Sequence, residues 1–195
     1  MTSDAAETAA GTPISIDAND FDLFGIPSRF VQDRAVLDAR WKALQMQVHP
    51  DRFASQGSAA QRLAMQWTVR VNEAYQRLKA PLARAAYLCE LHGHAIDAEA
   101  NTAMPASFLM EQMTWREALD EALSVAAVEA LGEEVTARQR SLHDGLAVLI
   151  DERRDWPAAI AQIRALMFVT RLGHDIDLRQ EALSEAPSAP VRSAT

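Results

Sequence analysis

Between residues 34 and 48, Leu37, Trp41, Leu44 and Val48 fall at i, i+4, i+7 and i+11, while Arg40, Lys42, Gln45 and Met46 occupy or flank the remaining surface. That period predicts an amphipathic helix, and Asp33 offers an N-cap oxygen at its start. A second stripe runs through Leu63, Trp67, Val71, Ala74 and Leu78, at intervals of 4, 4, 3 and 4. It predicts a helix over about 58–79, with Ser58 as its cap. Pro50 stops the first helix, because it lacks an N–H and disfavours helical backbone at His49. Residues 52–57 then read as a connecting loop with Phe53 as its apolar anchor. Two such helices pack as an antiparallel hairpin. Short elements flank it. A helix or turn in 20–27 presents Phe21, Phe24 and Ile26 to the hairpin. A fourth helix starts at Pro81, carries Leu82, Ala85, Tyr87, Leu88 and Leu91, and ends near Gly93.

The pattern then lapses. Residues 92–104 are irregular and polar up to Pro105, which makes them the expected linker between domains at 19–91 and 105–183. Three further helices are predicted over about 106–123, 126–151 and 156–182, the last introduced by Asp155 before Trp156-Pro157. A three-helix bundle lets their apolar faces cover one another. Residues 1–18 and 184–195 lack periodicity and read as flexible tails. No alternating run of β-branched residues and no repeat of 20–50 residues is found, so the fold class is all-α.

Composition narrows the possibilities. Of 195 residues, 49% are hydrophobic and 24% charged, enough for a core in one domain or two small ones. The net charge of −8 argues against general nucleic-acid binding. Cys89 is the sole cysteine, which excludes an intramolecular disulfide and a cysteine-based zinc site. Residues 1–20 lack the basic and apolar segments of a signal peptide and the arginines of a presequence. No apolar stretch reaches transmembrane length. The expected location is cytoplasmic, without membrane contact.

Two places carry candidate chemistry. His49-Pro50-Asp51 puts an imidazole and a carboxylate on a turn between helices, where core packing requires neither. The turn reads as a protein contact, or as a helix stop in which Asp51 caps the next segment. The helix from 106 holds two offset stripes. Phe108, Trp115, Leu119 and Ala122 are the core candidates. Met110, Met113, Glu117 and Glu121, with Leu109 beside them, begin apolar and become acidic, which suits a partner-binding face. The competing reading places Leu109, Met113 and Phe168 in the bundle core. A metal-dependent enzyme is a distant alternative: His92 and His94 stand two apart, a spacing that does not share a helix face. Cys89 lies in an apolar helix and reads as a buried, inert thiol. No catalytic residue and no cofactor is expected.

Helix, His-Pro-Asp turn, helix resembles the J-domain, the module with which co-chaperones activate heat-shock ATPases. Residues 20–27, 48–55, 84–93 and 108–113, with Arg116-Glu117 and Leu119-Asp120-Glu121, narrow the resemblance to the HscB family of iron–sulphur cluster assembly. It implies an L-shaped pair of domains, a J-domain followed by a three-helix bundle. It further implies that His49, Pro50 and Asp51, with Arg40, Lys42 and Arg52, contact an HscA-type chaperone and stimulate its ATPase. Leu109, Met110, Met113, Glu117, Glu121 and Phe168 would bind an IscU-type scaffold protein. A J-domain serving a different client is the nearer alternative. Met46, Val48 and Thr114 stand where the family often has a basic, an aromatic and an acidic residue. The four-cysteine metal site of some eukaryotic relatives cannot form here.

Overall fold

The computed structural model describes residues 17–96 and 104–185. The expected tails, apart from their inner ends, and 97–103 of the expected linker lie outside the described residues. Every element among the described residues is helical: α1 Asp20–Phe24, α2 Arg34–Val48, a 3-10 helix Pro50–Gln56, α3 Ser58–Lys79, α4 Pro81–Leu91, α5 Ala106–Glu121, α6 Val125–Ala147, a π-helical turn Val148–Arg153, and α7 Trp156–Glu185. The chain divides into two compact units, Met1–Tyr87 and Leu88–Thr195.

In the first unit α1 is short and firmly tied. The Asn19 side chain caps it by accepting the Asp22 N–H at 3.0 Å. Gly25 ends it at φ 59, with the Ile26 N–H reaching back to the Phe21 carbonyl at 3.1 Å. Asp20 is fully buried. Its carboxylate lies 2.7 Å from Arg70 and 3.1 Å from Arg77 of α3, and its N–H donates to the Tyr87 hydroxyl at 3.0 Å. Phe21, Phe24, Ile26 and Phe30 fill the space beneath. Arg84 is also buried; its guanidinium donates to the carbonyls of Phe30 and Leu78.

The hairpin forms as the spacing predicts, with two corrections. Asp33 caps α2, accepting from Ala35 and Val36 at 2.8 and 3.2 Å. Leu37 and Leu44 face Val71, Ala74 and Leu78 in the core, with Trp41 and Val48 half-buried. One edge is polar: Asn72 Oδ1 accepts from Trp41 at 3.0 Å and from Gln45 at 2.6 Å. Beside it Tyr75 donates to Asp38 at 2.8 Å, and Trp41 stacks on Tyr75 at 4.7 Å. The first correction concerns residues 52–57. Most of them continue a 3-10 helix from Pro50, whose fixed φ suits a helix start. Gly57, not Ser58, then occupies the N-cap of α3, without a side-chain cap bond. The second is Leu63, which is 52% exposed. Seven residues separate the end of α2 from the 3-10 helix's own end, so the first turns of α3 face that thinner element. Leu63, Trp67, Phe53, Val48 and Leu44 line an open groove of about 850 Å³ there.

The second unit is an aliphatic pairing of α6 with α7. Val128, Leu131, Val135, Leu142 and Leu146 face Ile163, Leu166, Val169, Leu172 and Ile176, all buried and at helical intervals. Gly145 allows a close approach: a methyl there would meet the Gln162 amide, which donates to the Leu142 carbonyl at 2.5 Å. Ser124 caps α6, and Asp155 accepts the Ala158 N–H at the start of α7. Arg154, at φ 53, makes the left-handed turn between them.

Candidate functional site

The first candidate surface is the turn after α2. His49 has left helical geometry, at φ −59 and ψ 127, and Pro50 opens the 3-10 helix. The cap of that helix is the His49 ring rather than Asp51: Nδ1 accepts the Asp51 N–H at 3.3 Å. A neutral ring held this way carries its proton on Nε2. The same Nδ1 stands 3.6 Å from the Asp51 carboxylate, a pairing that attracts only when the ring is protonated. The Asp51 side chain is 90% exposed and that of His49 57%. Asp51 therefore presents an acceptor group to solvent from a turn fixed by proline. Arg40, Lys42 and Arg52 are exposed. Arg52 also donates to the Met46 carbonyl at 3.0 Å, closing the end of α2 and holding the guanidinium near the turn. Met46 is 67% exposed on the same helix.

The second candidate surface is on α5. Phe108, Trp115, Leu119 and Ala122 are buried, and Trp115 donates to Glu134 of α6 at 2.8 Å. The opposite stripe stays outside: Leu109 is 44% exposed, Met110 69% and Met113 62%. Glu117 and Glu121 continue it, also exposed. The bundle-core reading of Leu109 and Met113 does not survive, since both side chains stay largely in solvent while Phe108, Trp115 and Leu119 take the inner face. Phe168 of α7 is half-buried, its ring edge-on to Phe108 at 6.0 Å. Thr114, exposed at the centre of the stripe, turns its hydroxyl back to the Met110 carbonyl at 3.1 Å.

Other candidate groups are used within the fold. His92 stacks on Trp156 at 4.0 Å and His94 lies 6.4 Å from the same ring. Cys89 is buried, and burial, with the Glu90 charge second, pushes its thiol up to about 11. Among the described residues no three His, Cys, Asp or Glu side chains are grouped to hold a metal ion. None of the helices among them is long and apolar enough to cross a membrane. Two cations beside the second surface were not among the candidate site residues. Arg116 lies over Phe168, and Arg138 over Phe108; Arg116 stood only within the family-like stretch, and Arg138 gave no signal beyond its charge.

Comparison with known proteins identifies the family. Residues 104–177 match the family model of the HscB C-terminal oligomerisation domain. A co-chaperone protein HscB homolog from Bordetella petrii is 49% identical over 157 residues, covering 80% of this chain and 92% of the relative. The structure of chaperone HscB from Vibrio cholerae superposes with a TM-score of 0.72 at 36% identity, over 85% of this chain and 99% of the other. That of human co-chaperone protein HscB gives 0.81 at 29% identity, over 92% and 90%.

Proposed function

The chain belongs to the HscB family of co-chaperones, and on that premise we propose that it carries an iron–sulphur scaffold protein to a heat-shock ATPase. Residues 19–91 serve as the J-domain, 92–104 as a linker and 105–183 as the client-binding domain. One observation carries the client assignment: Leu109, Met110 and Met113 remain in solvent on a helix whose other face is fully used by its own bundle. Such a patch is apolar enough to anchor a partner, and methionine adapts to an uneven surface. Glu117 and Glu121 form a polar rim that orients the partner, and Phe168 bounds the patch from α7. The client is an IscU-type scaffold.

His49, Pro50 and Asp51 act on the ATPase, an HscA-type chaperone. Asp51 offers an exposed carboxylate to an arginine of the partner, a bond that can be bidentate. Arg40, Lys42 and Arg52 steer the encounter with an acidic groove. This chain moves no proton of the hydrolysis; docking shifts the partner between conformations of different ATPase rate. The role is that of a co-chaperone, not an enzyme, acting where both partners reside, in the cytoplasm.

The test has two arms. Leu109→Ala with Met113→Ala should abolish capture of the scaffold protein while leaving chaperone stimulation by the free co-chaperone intact. Asp51→Asn should retain scaffold capture and lose ATPase stimulation. Scaffold binding undiminished in the first variant sinks the client face. Absent scaffold binding in the wild type, with stimulation retained, would favour a J-domain serving another client.

A further inference from the structure

Phe168 is bracketed in an unusual way. Its ring meets Phe108 edge-on, 84° between planes. Arg116 of α5 places its guanidinium 5.8 Å from the Phe168 ring centre and pairs with Asp175 of α7 at 2.8 Å. Arg138 of α6 repeats the arrangement one ring away, lying 6.0 Å from the centre of Phe108 and pairing with Glu111 of α5 at 3.1 Å. Each aromatic ring thus has a cation on it, and each cation is anchored by a carboxylate on a helix other than its own.

We propose that Arg116, anchored by Asp175, is a positioning residue that fixes the Phe168 ring as a preset wall of the client face. The proposal rests on the client reading above. Arg116 follows Met113 by three residues and directly precedes Glu117, so it stands on the flank of α5 between the exposed stripe and α7. Its side chain is 43% exposed and that of Asp175 31%, which places the pair at the rim and not in the core. A phenylalanine at a bundle edge with no such partner would sample several rotamers and lose that freedom on binding. The guanidinium removes the loss in advance: its charge is attracted to the ring face, and its ion pair holds it there. Arg116 acts through Phe168 and needs no contact with the client.

The experiment is a double-mutant cycle on the full-length chain, titrating the iron–sulphur scaffold protein by calorimetry against wild type, Phe168→Ala, Arg116→Ala and the double variant. Having to order one side chain on binding corresponds to about a two- to tenfold weaker affinity. Arg116→Ala should show that loss alone and none on the Phe168→Ala background. The Phe168 ring signals, followed by aromatic NMR without any client, should move in Arg116→Ala and in Asp175→Asn, which keeps the guanidinium but frees it. Additive losses with unmoved ring signals overturn the positioning role while the client face stands. If Phe168→Ala binds the scaffold as tightly as wild type, Phe168 is no part of the face and the positioning role falls with it.

Discussion

The two units of this protein are fastened by different chemistry. In the first, a few polar side chains reach between elements distant in sequence: Asp20 to Arg70 and Arg77, Tyr75 to Asp38, Asn72 to Trp41 and Gln45. In the second, α6 and α7 are joined mainly by aliphatic stripes, crossed by the Gln162–Leu142 and Gln139–Thr170 hydrogen bonds, with ion pairs at the rim. Polar ties fix geometry because they are directional; aliphatic stripes supply cohesion because burial scales with area. The former fastens the unit that carries the exposed turn after α2. The latter fastens the unit in which one face of α5 stays in solvent.

That contrast can be broken by substitution. Leu172, fully buried in the α6–α7 seam, should lose about 2–5 kcal/mol of stability when cut to alanine. Denaturation followed at Trp115 and Trp156 reads this unit, and a loss below 1 kcal/mol would mean the seam is not its main support. Asp20→Ala should cost the first unit about 2–3 kcal/mol, because two arginines lose their counterion and yet can reach solvent. The transition followed at Trp41 and Trp67 should move, while that at Trp115 and Trp156 should not.

pH separates the units further. Hydrogen bonds from Tyr75, then from Arg34, hold the Asp38 carboxyl below its ordinary 3.8. Its folded value lies under its unfolded one, so its contribution is present above about 3.8 and disappears as pH falls through the depressed value. Tyr75 moves the other way: its bond to Asp38, then burial, raises the hydroxyl above 10.0. Its contribution is complete below that pH and is lost as pH rises through the raised value. Asp38→Asn should flatten the acid limb of the first unit's stability profile; an unchanged limb would assign acid sensitivity elsewhere. Smallest of all, Gly173→Ala should stabilise α7 by about 1 kcal/mol, since nothing lies within 4 Å of the added methyl. A fall in melting temperature would show that the seam tolerates less than its geometry implies.

Most of this architecture is legible from spacing. Helix starts at Asp33 and Asp155, the stop at Pro50 and the buried stripe of α5 all follow from local rules, because caps, proline and periodicity act within a few residues. The sequence misleads at Leu63, where a perfect stripe outruns its partner: periodicity reports which face is apolar, not how long the neighbouring helix is. It is silent on Asp20, since an acid in a first turn looks like an ordinary helix-start charge until Arg70 and Arg77 come round to meet it. The exposed face of α5 was visible as one of two offset stripes, but only burial decides which stripe is core. The His49–Pro50–Asp51 turn was visible as a motif, and the hydrogen bond from the Asp51 N–H adds that the imidazole, not the carboxylate, caps the 3-10 helix.

The clasp on Asp20 also bears on how the chain assembles. Asp20 lies 57 residues before Arg77 and 67 before Tyr87, its partners in the finished fold. At a synthesis rate of about 5–20 residues per second, α1 leaves the ribosome roughly 3–13 s before those partners exist. A five-residue helix cannot persist alone for that interval. The first of the described helices to be made is therefore among the last to be locked, and α3 and α4 must emerge before α1 is held as a stable helix.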